Sequence, residues 1–227
     1  GELGEFLGAI WLQRGDDPIA EDAADLLVGA AAVAARVILR RRAAGTGHET
    51  VVRELLGARG TDIDAGFIGA QLGIAPDVPV AVVGFGGPGT VAPAAVSALT
   101  LHASAFSPLS VTTTIGPRVL VVLPGTVPPR AVSDTDSEGS QPQRDTPVVD
   151  KAWEAATVAW ARTAVAASER QFGIRVRAVV AGPATGLAAV PMLRQQIDRV
   201  LDAATREGDL IDEVTTVAAS QTGVLLG

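Results

Sequence analysis

The residues whose spacing best suits chemistry are Gly84, Gly86, Gly87 and Gly89, in the run Gly84-Phe85-Gly86-Gly87-Pro88-Gly89. A Gly-x-Gly-x-x-Gly turn after a buried strand and before a helix is the setting in which backbone N–H groups cradle a pyrophosphate. These four glycines are the ligand candidates of the chain. Two features weigh against a phosphate loop. Pro88 and Pro93 remove backbone donors from the turn and from the helix start. Val78 to Ser133 contains no Asp or Glu, so the acidic residue that a dinucleotide site places about 20 positions after its glycines is missing. The same absence leaves no carboxylate there for Mg²⁺ or Mn²⁺. We read the turn first as structural and keep binding of a nucleotide or small metabolite as the alternative. No catalytic residue, metal ligand or cofactor is assigned, and the chain is not read as an enzyme.

Other reactive side chains are scattered. His48 and His102 have no acidic or second histidine neighbour in sequence that would suggest a metal set. No serine sits in a Gly-x-Ser-x-Gly elbow. Arg175 and Arg177, two apart on an expected strand, share a face and could meet an anion, although an ion-paired or solvated edge is the simpler reading. Arg40 to Arg42 suit the C-terminal end of a helix dipole. Trp153 and Trp160 lie seven apart on one helix face, which suits core or dimer packing before a stacking platform.

Composition narrows the class. The chain has 227 residues, 48% of them apolar, and a net charge of −7, which argues against a broad nucleic-acid footprint. There is no cysteine, which excludes disulfides and thiolate metal sites, and a cytoplasmic setting is expected. The stretch Leu26 to Leu39 contains Arg36 and falls short of the roughly 20 residues that cross a bilayer. The opening Gly1-Glu2-Leu3-Gly4 has neither an initiating Met nor a basic signal region, and we read the chain as a segment of a longer one.

The elements that must position these residues follow from periodicity and punctuation. Glu5 to Gln13 is expected as a strand ending at Arg14-Gly15-Asp16-Asp17-Pro18. A helix should then run from Ile19 to Ala43, capped by Asp17, with Leu27, Ala30, Ala31, Ala34, Val37 and Ile38 forming a seam of small and apolar side chains. Gly45-Thr46-Gly47 should break it before a short helix His48–Leu56. A further helix, Asp62–Leu72, is closed by Gly73. The continuous apolar run Val78–Phe85 suits a strand buried on both faces. After it we expect a helix Val91–Ala105, a hairpin of Leu109–Thr114 and Arg118–Leu123 around Ile115-Gly116-Pro117, and a surface loop Gly125–Thr146. A helix Val149–Phe172, a strand Ile174–Ala181, a helix Leu187–Arg206 and a last strand Ile211–Ala218 complete the order βαββαβαβ. That order describes an α/β (α+β) sandwich in which helices cover a mixed sheet.

Asp77 to Gly227 resembles the GGDEF-like middle domain of PucR/CdaR-type transcriptional regulators. The likeness lies in the strand VPVAVVGF, the hairpin VTTTIGPRVLVVLPG and above all IRVRAVVAGPATGLAAVPMLRQQIDRVLDAA. In that last stretch Gly182-Pro183 follows the strand, and Leu187, Val190, Arg194 and Gln195 to Leu201 are similar to the family's loop and helix. Residues 1–43 resemble the tail of a GAF-like sensor domain, with Trp11 in its final strand. The resemblance implies three parts: the sensor remnant at 1–43, a helical connector at 44–75 and a degenerate GGDEF/nucleotide-cyclase-like domain at 76–227. It further implies a homodimer, a small-molecule effector, no membrane, and DNA bound only through a helix-turn-helix outside this segment. Active cyclases of this fold carry metal-binding carboxylates after the first strand and in the hairpin turn; the corresponding places here are Phe85-Gly86-Gly87 and Thr114-Ile115-Gly116-Pro117. The resemblance therefore implies a regulatory segment without cyclase activity.

Overall fold

The computed structural model describes residues 21–57, 63–87, 89–125, 151–207 and 213–224. The strand expected at Glu5–Gln13 and nearly all of the loop expected at Gly125–Thr146 lie outside the described residues.

Helix α1 (Ala23–Gly57) is continuous. The helices expected at Ile19–Ala43 and His48–Leu56 are one, and the break at Gly45-Thr46-Gly47 does not occur. Glycine inside a helix costs about 1 kcal/mol relative to alanine, which is a local loss rather than a stop when no proline accompanies it. The chain divides into two compact units, Gly1–His48 and Glu49–Gly227. In the first, no side chain between Ala23 and Leu39 is fully buried.

The second unit is a mixed α/β fold. Its elements are α2 (Ala65–Leu72), β1 (Pro79–Gly86), α3 (Pro93–Phe106), β2 (Val111–Ile115), β3 (Arg118–Pro124), α4 (Lys151–Phe172), β4 (Arg177–Thr185), α5 (Val190–Glu207), β5 (Val214–Thr216) and α6 (Val217–Val224). From β1 to β5 this is the expected βαββαβαβ order. The strands lie in the order β2-β3-β1-β4-β5, antiparallel throughout except for the parallel pair β4 and β5.

Alternation along the strands sorts side chains to two cores. Val80 and Val82 of β1, Leu120 and Val122 of β3 and Val179 of β4 face a core closed by Leu193, Ile197 and Leu201 of α5. Val52, Leu55 and Leu56 from the end of α1, with Ile68 and Leu72 of α2, belong to the same core. Residues expected in a connector are thus built into the second unit. On the opposite face Val83 and Phe85, Val119 and Val121, and Ala178 and Val180 meet α3 and α4 through Leu99, Trp160 and Ala164. Fully burying each such Val or Leu contributes about 1.5–3 kcal/mol, so covering both faces holds the sheet.

Local chemistry explains the boundaries. Asp64 accepts a hydrogen bond from the Phe67 N–H at 2.9 Å, so α2 starts at Ala65 rather than Asp62, and Gly73 ends it at φ +66°. Ile115 pairs with Arg118, leaving Gly116-Pro117 as a two-residue hairpin turn in which Gly116 takes φ +58°. Strand β4 runs on through Gly182-Pro183, where a loop was expected: these two residues oppose Ala81 alone, a bulge that lets pairing resume at Val80 and Ala184. The last strand is shorter than expected. The Thr216 hydroxyl accepts from the Ala219 N–H at 3.1 Å and caps α6, ending β5 at that residue.

Candidate functional site

The structure does not place the four candidate glycines in one turn. Gly84 and Gly86 are residues of β1, paired with Val179 and Arg177 of β4, and only Gly87 and Gly89 follow the strand. A β-carbon on Gly84 would stand 2.3 Å from Ile197 Cγ2 and 3.3 Å from Leu120 Cδ2; one on Gly86 would meet both Leu201 methyls at 3.4 Å. Helix α5 therefore fills the faces that these glycines leave bare. A β-carbon on Gly87 would stand 2.9 Å from the Arg175 carbonyl oxygen, whereas Gly89 has nothing within 4 Å. None of the four has a positive φ, so the alternation of right- and left-handed residues that makes an anion nest is not formed by them. Helix α3 begins at Pro93, which lacks an N–H, and Ala92 before it offers no capping side chain.

The hairpin turn comes up beside the end of β1. Phe85 pairs with Val119, and a β-carbon on Gly86 would lie 3.9 Å from Arg118 Cγ. The group that occupies this end of the sheet is thus a guanidinium. Arg118 donates to Asp198 Oδ1 at 2.5 Å and also to Asp202, both on α5. Arg194 donates through Nε to the other Asp198 oxygen at 3.2 Å, and through a terminal nitrogen to the Leu56 carbonyl in the last turn of α1. The side chains of Arg118, Arg194 and Asp198 are 17%, 23% and 27% exposed, which shields these charge-assisted bonds from full solvent screening. Burial works to lower the Arg118 pKa, but its hydrogen bonds to Asp198 and Asp202 outweigh this and raise it above the usual arginine range.

Sequence reasoning did not single out Arg118, Asp198 or Asp202. The signal was present: Arg118 is the one charged side chain between Asp77 and Arg130, and Arg194, Asp198 and Asp202 recur every fourth residue along α5. The remaining expected groups are dispersed. Arg175 precedes β4, is 89% exposed and pairs with Glu169 at 3.2 Å, while Arg177 opens the strand. Trp160 is a core residue, edge-on to Phe85 at 5.9 Å and stacked on Phe106 at 5.6 Å, and its indole N–H donates to the His102 carbonyl at 3.2 Å. Trp153 packs against the same core. Burial lowers the pKa of the His102 imidazole below its ordinary value. Among the described residues no three His, Cys, Asp or Glu side chains are grouped to hold a metal ion.

Helix α1 presents a different kind of surface. In its first unit Leu26, Val28 and Leu39 are 61%, 71% and 51% exposed, and Leu27, Ala34, Val37 and Ile38 of the expected seam are half-buried. A helix with apolar side chains on several sides normally has them covered. Among the described residues no helix is long and apolar enough to cross a membrane. No family model, curated protein or solved structure matches the chain.

Proposed function

We propose that this chain is a non-catalytic regulatory and dimerisation segment of a cytoplasmic transcriptional regulator of the PucR/CdaR type. Its second unit is the GGDEF-like domain of that reading, and the DNA-binding helices belong to a part of the protein outside this segment. The observation that supports it most is helix α1, which carries exposed apolar residues at Leu26, Val28 and Leu39 and ends in the buried Val52, Leu55 and Leu56. One continuous helix of that kind joins a surface in need of a partner to a packed core, so a shift in how two copies meet can be passed on mechanically. An effector acts on such a system only by binding its two states with different affinity.

The end of the sheet supports the non-catalytic part. Where a cyclase of this fold would gather carboxylates around a divalent ion, the carboxylates at this place, Asp198 and Asp202, are already engaged by the Arg118 guanidinium, which disfavours a second cation. Packing of Ile197 and Leu201 over Gly84 and Gly86 likewise favours a structural role for those glycines over ligand binding. Light scattering on the wild-type chain and on Ala34→Glu tests the reading: a dimer that the substitution splits supports it, and a mass that the substitution leaves unchanged removes the role of the α1 seam.

A further inference from the structure

Two arginines share one carboxylate, and their bonds link three elements far apart in sequence. Arg194, in the second turn of α5, holds the Leu56 carbonyl at the end of α1 and one oxygen of Asp198. Arg118, the first residue of β3 after the hairpin turn, holds the other oxygen of Asp198 and a carboxylate oxygen of Asp202. The last carbonyls of a helix have no partner within it, and a cation there also suits the negative end of the helix dipole. Arg194 meets both needs for α1.

The division of Asp198 between two arginines makes each contact depend on the other. If the last turn of α1 moves, Arg194 must follow Leu56 or release it. Either change alters how Asp198 is held, and Asp198 is a principal partner of the hairpin arginine. Arg194, Asp198 and Asp202 stand every fourth residue on α5, whose Ile197 and Leu201 are anchored over β1, so the helix provides a fixed track. We propose that Arg194, Asp198 and Arg118 form a relay that couples the last turn of α1 to the β2–β3 hairpin, with Asp198 as its shared positioning residue. The relay rests on the reading of α1 as the transmitting helix, and it names the groups that receive the signal in the second unit.

Hydrogen exchange measured by mass spectrometry on the full chain tests it. Arg118→Gln touches only the hairpin side directly, and Arg194→Gln only the α1 side. A relay predicts that Arg118→Gln speeds exchange in residues 52–57, and that Arg194→Gln speeds it in residues 111–119, each by about fivefold, as a coupling of ordinary size gives. Ordinary separate ion pairs would loosen only their own neighbours; Arg118→Gln without effect at 52–57, or Arg194→Gln without effect at 111–119, overturns the relay. If either variant loses its far-UV helical signal, Arg118→Lys or Arg194→Lys replaces it, since lysine keeps the charge but cannot bridge two acceptors with a planar fork. The α1 reading is separated by the mass of Ala34→Glu. A response confined to each neighbour with a split dimer removes the relay alone, while a shared response with unchanged mass keeps the relay and removes the seam as the source of the signal.

Discussion

Ile197 on α5 occupies the space that any side chain at Gly84 on β1 would need, with its Cγ2 methyl 2.3 Å from where a β-carbon would stand. That contact decides how the glycine run is used. Gly84→Ala forces the strand or α5 to shift, and an overpacked core of this kind loses about 1–3 kcal/mol. Gly89→Ala, which meets nothing within 4 Å, is expected to change stability far less. Chemical denaturation of the two variants checks the contrast, and a smaller loss from Gly84→Ala in an Ile197→Ala background, which lacks that methyl, would assign the loss to this contact.

Much of the second unit was legible because its signals are local. The apolar run of β1, the Gly116-Pro117 turn and the glycine stop at Gly73 each act through a neighbouring residue's backbone or burial, and each holds in the structure. The place of the glycine run within the strand was less legible for the opposite reason. Gly84 and Gly86 look like a turn in sequence because the side chains that fill their faces, Ile197 and Leu201, come from α5, much later in the chain. Arg118 and Asp198 were missed likewise, since their bond spans 80 positions. The expected break at Gly45-Thr46-Gly47 gave too much weight to glycine alone, which weakens a helix without turning it.

Acid should destabilise the second unit through His102. Burial lowers its folded pKa below the unfolded value of about 6.5, so the unfolded chain binds the proton more readily. The stability that depends on a neutral His102 is complete above about pH 6.5 and is lost as pH falls through the lowered folded pKa. Melting curves of His102→Gln against wild type from pH 8 to 5 should diverge in slope only on the acid side, and parallel curves would contradict the sign.

Nucleotides should leave the protein unaffected. With Gly84 and Gly86 packed under α5, thermal-shift titrations with NAD, ATP or GTP, with and without Mg²⁺, are expected to give no rise in Tm. A ligand that binds the native state at about 100 times its Kd would add about 2.7 kcal/mol, which such an assay detects readily. A clear rise would restore the nucleotide-binding alternative and direct attention to Gly87 and Gly89.

Dimerisation through the apolar seam of α1 is tested directly by light scattering. The wild-type chain is expected at twice its 23.0 kDa mass. Ala34→Glu places a charge in the half-buried middle of the seam and should return the mass to that of one chain, with the helical signal of the second unit kept. A wild-type chain that is already monomeric, or an Ala34→Glu variant that remains a dimer, would contradict the proposal that this helix brings two copies together.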